Sequence, residues 1–143
     1  MYSSCLAHCK WKCQYHIVFI PKYRINKLYG VVKDDVREII RTLCKYKGVE
    51  IVAGAVCSHH VHLCVSIPPK LSVSDFEGYL KGKLALMIYG KHPEMESEWD
   101  RSNWARGYYV TTIGNVNEET VKEYIRRQTE GSQNDSKKSY RLL

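Results

Sequence analysis

Ser58-His59-His60-Val61-His62-Leu63-Cys64-Val65-Ser66-Ile67 alternates polar and apolar side chains from His60 onward. That is the period of a half-buried β-strand. On such a strand His60, His62, Cys64 and Ser66 share one face, and Val61, Leu63, Val65 and Ile67 share the other, the expected core side. Two imidazoles two residues apart can converge their lone pairs on one metal ion. The same pattern also fits two polar residues on a solvated face, so the rest of the chain has to decide.

Upstream, Val49 to Val56 reads as a second, apolar strand. Before it, Val36, Ile39, Ile40, Leu43 and Cys44 fall on helical spacing, with Gly48 where a C-cap belongs, which predicts a helix over 33–47. The run from Lys12 to Ile20 is β-branched and aromatic and is closed by Pro21, giving the first strand. Downstream, Pro68-Pro69 stops the third strand. Ser72 or Ser74 can then cap a helix, the latter with Glu77 as a capping box, whose apolar stripe is Val73, Phe76, Leu80, Leu84, Met87 and Ile88. An irregular stretch from Gly90 to Trp104 precedes a fourth strand, Gly107 to Ile113. Gly114-Asn115-Val116-Asn117 turns and caps a third helix over 118–130, which Gly131 ends.

The resulting order is β-α-β-β-α-β with one helix added. Right-handed crossovers turn that order into an α+β, ferredoxin-like fold: a four-stranded antiparallel sheet with two helices on one face. Its first and third strands are central, and the face carrying His60 and His62 is the open one. Residues 1–131 are expected to form a single domain, followed by a polar C-terminal tail over 132–143.

With 143 residues the chain can bury a hydrophobic core of its own. Lys and Arg number 22 against 15 Asp and Glu, a net charge of +7 with pI near 9.1. That balance favours a polyanionic partner, nucleic acid before membrane. No stretch is long and apolar enough to span a bilayer, and Met1-Tyr2-Ser3-Ser4-Cys5 has no signal-peptide pattern. A reduced, cytoplasmic protein is therefore expected despite six cysteines. Cys5, Cys9 and Cys13 lack the paired spacing of structural zinc sites.

The third helix places Tyr124 and Gln128 four residues apart, hence on one helix face. If that helix lies over the open face of the sheet, both reach the histidine pair. Gln128 then offers an amide oxygen as a third ligand beside His60 and His62. Tyr124 stands as a nucleophile whose phenol, with an ordinary pKa of about 10, needs activation. Periodicity alone fits equally well a tyrosine that simply packs beside Val121 and Ile125.

Several segments carry a resemblance that weighs between these readings. They are Tyr15-His16-Ile17-Val18-Phe19-Ile20-Pro21-Lys22-Tyr23-Arg24, His60-Val61-His62-Leu63, and Ile67-Pro68-Pro69-Lys70 with Gly78-Tyr79-Leu80-Lys81-Gly82-Lys83. Trp104-Ala105-Arg106-Gly107-Tyr108-Tyr109-Val110 and Glu123-Tyr124-Ile125-Arg126-Arg127-Gln128 complete the set. In this order the chain resembles the single-tyrosine HUH transposases of small bacterial insertion sequences of the two-hundred/six-hundred-five type, over about residues 10–130.

The resemblance implies that His60, His62 and Gln128 hold a divalent metal, Mg2+ or Mn2+, and that Tyr124 forms a 5′-phosphotyrosine and leaves a free 3′-OH. It further implies single-stranded DNA hairpins at element ends as substrate, and a homodimer in which the tyrosine helix can serve the partner's histidines. Many such proteins have an acidic residue just before the histidine pair, where this chain has His59; strand parity points His59 away from the metal face.

Lys10, Lys22, Arg24, Lys83 and Arg106, with Lys12, Lys27 and Lys81, are candidates for phosphate contact. Tyr23, Trp104 and Tyr108 are candidates for stacking on bases. His16, on the neighbouring strand, is expected beside His60 or His62, behind them or as an alternative ligand, and His8 and His92 are expected at the surface. Three other readings compete: a non-catalytic hairpin-binding module, a metal hydrolase with water as nucleophile, and a related nuclease that processes dispersed palindromic repeats.

Overall fold

The computed structural model describes residues 4–6, 9–20, 30–93, 104, 107–114, 117–131 and 140–143. A short antiparallel ribbon, β1 (Ser4–Leu6) and β2 (Cys9–Trp11), precedes the main sheet. That sheet contains β3 (Gln14–Phe19), β4 (Glu50–Cys57), β5 (Val61–Ser66), β6 (Tyr109–Thr112) and β7 (Tyr140–Leu142). Between them lie α1 (Gly30–Tyr46), α2 (Val73–Lys91) and α3 (Glu118–Gly131). The strands run in the order β6-β3-β5-β4-β7 with every pairing antiparallel. The first four reproduce the expected ferredoxin-like order, with the first and third strands of the motif at its centre.

Val61, Leu63, Val65 and Ile67 are buried together with Ile17 and Phe19 under α1 and α2, which supply Val36, Ile39, Ile40, Leu43, Phe76, Leu80, Leu84 and Ile88. Fully burying each such side chain contributes about 1.5–3 kcal/mol. This core fixes the register of β5, and the register fixes which face carries the histidines. The helix ends follow their local chemistry. Ser72 caps α2 by accepting from the Asp75 N–H at 3.1 Å, and Gly48, at φ +68°, closes α1 in a conformation open to glycine. Asn117 caps α3 through Oδ1, which accepts from the Thr120 N–H at 2.8 Å.

Five expectations change. The 132–143 tail is not wholly a tail: β7 adds a fifth strand on the β4 edge, and Leu143 packs against the core. Residues 4–6 and 9, which precede the first strand expected from the sequence at Lys12, contribute to the β1–β2 ribbon. Glu77 serves no capping box and is 1% exposed inside α2's buried face. Trp104, a candidate for base stacking, is buried with its ring edge-on to Phe19. His92 at the end of α2 is paired with Asp35 of α1 rather than standing free at the surface.

Candidate metal and tyrosine site

The open face of the sheet is assembled by register. His16 opposes Cys64 and Thr111, Val18 opposes His62 and Tyr109, and Ala55 opposes His62. These residues therefore project to the side away from α1 and α2. The small side chains Ala53, Ala55 and Cys64 leave room for α3, which lays Val121 and Ile125 on them. Ile125 is fully buried there, so this contact holds the helix in place. Tyr124, on the neighbouring helix position, is 41% exposed and reaches across to β3.

A hydrogen-bonded chain results. His16 Nε2 and His62 Nδ1 lie 3.1 Å apart, and His16 Nδ1 and the Tyr124 hydroxyl lie 3.3 Å apart. The imidazoles of His16 and His62 are stacked with ring centres 5.3 Å apart, and the Tyr124 ring meets His16 edge-on. His16 is thus not at the margin of the site; it joins the tyrosine to the histidine pair. His60 stands next to His62 with ring centres 4.6 Å apart.

Both members of the pair are about 95% buried, and Nε2 of each has no hydrogen-bond partner among the described residues. Two buried polar atoms left unsatisfied side by side are costly unless something binds them. Burial pushes His60 down to about 4 and His62 down to about 3, with neighbouring imidazoles adding to the effect. Both are held in the neutral form that offers a lone pair to a metal. Burial also raises the Tyr124 phenol above its usual range, followed by smaller contributions from Tyr109 and Cys64. The tyrosine is therefore not a ready phenolate.

Cys57, at the end of β4, joins this cluster. Its Sγ and a ring nitrogen each from His60 and His62 lie within 4.8 Å of one another, and all three residues are buried. Its signal in the sequence is the spacing Cys-x-x-His-x-His. Cys57 fell just beyond an apolar run already accounted for as strand.

The other candidates scatter. Gln128 is exposed on α3 one turn beyond Tyr124. Lys10 is exposed on β2, while Lys83 is exposed on α2, in the layer behind the sheet from His60 and His62. Lys22, Tyr23, Arg24 and Arg106 lie outside the described residues. Lys81 donates to the Gly107 carbonyl at 3.0 Å and sits over the Tyr108 ring. His59 precedes β5 in the turn, so strand parity does not govern it; its ring packs edge-on against His60 at 4.4 Å. Beside the Tyr124 hydroxyl opens a cavity of about 370 Å³ lined by His16, Tyr109, Thr111, Thr112 and Thr120 among others.

A fold of this order with a buried histidine pair and a tyrosine helix laid over it defines the class to which the comparisons also point. The family described as "Transposase IS200 like" matches residues 9–128. The transposase for insertion sequence element IS200 of Salmonella typhimurium is 46% identical over 126 residues, covering 87% of this chain and 82% of its own length. The ISDra2 transposase TnpA of Deinococcus radiodurans is 29% identical over 119 residues, 82% of this chain and 85% of its own. A crystal structure from Deinococcus radiodurans R1 assigned as a transposase superposes with a TM-score of 0.70 at 28% identity, covering 87% of this chain and 96% of that one. A REP-associated tyrosine transposase bound to a REP hairpin shares the fold, with a TM-score of 0.63 at 16% identity over 84% of this chain and 68% of its own. The chain belongs to the IS200-like transposase family, a family of DNA-processing enzymes.

Proposed function

We propose that the protein cleaves and rejoins single-stranded DNA at the ends of an insertion sequence by transesterification through Tyr124. The observation that carries this reading is the chain Tyr124–His16–His62, in which the phenol sits on a histidine that is itself bonded to a candidate metal ligand. His60 and His62, with Gln128 from α3, would hold a divalent cation, Mg2+ or Mn2+, and the orphaned Nε2 atoms fit that role. Such an ion supplies electrophilic polarisation of the scissile phosphate.

The proton positions follow from this ligand assignment. A His62 that offers Nε2 to a metal carries its proton on Nδ1 and donates to His16 Nε2. Neutral His16 then carries its own proton on Nδ1 and donates to the Tyr124 oxygen. The last N–H of the chain is aimed at the oxygen that becomes negative as the phenol ionises, and the phenolic proton passes to water on the exposed side. Tyr124 Oη forms a bond to phosphorus, the bond from phosphorus to the 3′-oxygen breaks, and that oxygen takes up a proton as a free 3′-OH. Attack by another 3′-OH on the phosphotyrosine reverses the sequence. One phosphodiester is exchanged for one phosphotyrosine, so no nucleotide cofactor is required.

The cavity beside Tyr124 gives room for a nucleotide flanking the scissile phosphate, with the half-exposed Tyr109 ring on its rim. Hairpin DNA as substrate is supported by the net charge of +7 and by the REP hairpin bound to a protein of the same fold. Lys10, Lys22, Tyr23, Arg24, Lys83 and Arg106 remain the proposed DNA contacts, and a homodimer is the proposed assembly, measurable as its mass in solution by light scattering.

The test incubates 5′- and 3′-labelled single strands from element ends with protein and Mg2+ or Mn2+, comparing wild type with Tyr124→Phe. The expected result is a covalent adduct that disappears in the variant, with cleavage falling by on the order of 10³-fold or more. Hairpin binding without any cleavage would favour a binding module instead, and cleavage surviving the substitution would make water the nucleophile.

A further inference from the structure

We infer that Cys57 is a thiolate ligand of the metal bound by His60 and His62, so that this centre prefers thiophilic ions such as Zn2+ or Co2+ over Mg2+. The inference rests on the reading above that His60 and His62 bind a divalent metal; it adds a donor and replaces Mg2+ with a thiophilic ion as the preferred occupant.

The placement is built into the β4–β5 connection. The Cys57 N–H donates to the His60 carbonyl at 2.8 Å, closing the four-residue turn that joins the two strands. Ala55 opposes His62, and Cys57 lies two residues further along β4, hence on the same face. All three donor residues thus come from one tightly bonded hairpin. Their donor atoms lie within 4.8 Å of one another. Two bonds of about 2.0–2.3 Å to one ion span at most about 4.6 Å, so the cluster is within a small adjustment of ligation.

A second observation points to a ligand independently of the cysteine. Nε2 of His60 and of His62 are buried without a hydrogen-bond partner among the described residues. Cys57 is itself wholly buried and is in no disulfide.

On binding, the thiol gives up its proton to solvent and the sulfur forms the metal bond, while both imidazoles enter neutral. One thiolate and two imidazoles leave a divalent centre with a net charge of +1. The hairpin itself supplies three donors, and the fourth position of a tetrahedral centre falls to Gln128 of α3 or to the phosphate that displaces it. Soft sulfur together with borderline imidazole selects Zn2+ and Co2+, whereas Mg2+ favours oxygen donors.

The test titrates metal-free, reduced full-length protein with Co2+ and follows its absorption. The expected result is visible d–d bands together with a near-ultraviolet thiolate-to-cobalt charge-transfer band. Cys57→Ser is expected to lose the charge-transfer band and to weaken Co2+ by more than about tenfold, while Cys64→Ser keeps both. X-ray absorption of the Zn2+-loaded wild type needs no variant and is expected to show one sulfur at about 2.3 Å. Visible bands without charge transfer, or a zinc shell free of sulfur, would overturn the role of Cys57 and leave the histidine pair standing. Absence of any Co2+ or Zn2+ binding by the wild type would overturn the metal-site reading and this inference with it.

Discussion

His16 is where the two halves of the site meet, since one ring nitrogen faces His62 and the other faces the Tyr124 hydroxyl. Replacing it by Phe keeps a ring in the space and removes both hydrogen bonds. Strand cleavage is expected to fall about 10- to 100-fold, the usual cost of losing a partner behind a metal ligand, the role proposed for His62. Hairpin affinity, measured in parallel by gel shift, is expected to stay the same. An unchanged cleavage rate would show that the tyrosine works independently of His16.

Glu77 makes a different kind of statement at the same scale. Burial raises its carboxyl from 4.5 to about 7, partly offset by Lys81, whose Nζ lies 3.8 Å away. The folded state therefore holds this proton to higher pH than the unfolded chain does. The stabilisation is complete below about 4.5, declines as pH rises, and is gone above about 7. A shift of this size corresponds to about 3 kcal/mol. Glu77→Gln, neutral at every pH, is expected to raise Tm relative to wild type at pH 8 and to leave it little changed at pH 5. An equal change at both values would show that the carboxyl does not titrate within the fold.

At the scale of elements, the added strand β7 is accommodated by a glycine. Leu143 donates its backbone N–H to the Gly54 carbonyl at 2.8 Å, and its side chain occupies the space that a Cβ on Gly54 would fill. A Cβ there would come within 2.6 Å of Leu143 Cδ1 and within 2.9 Å of the His62 carbonyl oxygen. The leucine can swing aside, but the backbone oxygen of a central strand cannot. Gly54→Ala is expected to cost about 1–3 kcal/mol, as overpacking does, read as a lowered midpoint of denaturant unfolding. Full stability in the variant would mean that β4 and β5 separate more easily than their ladder suggests.

The elements also show what could be read from the sequence. Both strands of the β4–β5 hairpin and all three helices were legible because their apolar periods are regular and their caps, Ser72, Gly48 and Asn117, are chemically explicit. β7 was not legible. Tyr140-Arg141-Leu142 has no alternation long enough to register and becomes a strand by pairing with an edge already formed. Met87 was assigned to the buried stripe of α2 but is 36% exposed, because the stripe turns onto Ala85 there.

At the scale of the whole molecule, one sheet separates two tasks. α1 and α2 bury one face and supply stability, while α3 covers only part of the other and leaves His16 and Tyr124 on the wall of a cavity, with His60 and His62 buried behind His16. The histidine pair and Tyr124 were legible through spacing and family resemblance. Their connection through His16 was legible only once strand adjacency was assumed. Cys57 needed the hairpin in three dimensions, since its parity with His62 runs across two strands rather than along one.

The central claim is that Tyr124 becomes covalently joined to DNA. The most direct measurement incubates the protein with a single-stranded element end and a divalent ion, digests the DNA and the protein, and maps the modified peptide by mass spectrometry. The account requires a nucleotide attached through its 5′-phosphate to the tryptic peptide spanning Glu123 to Arg126. Strand cleavage with that peptide unmodified, or with the nucleotide on another residue, would contradict it.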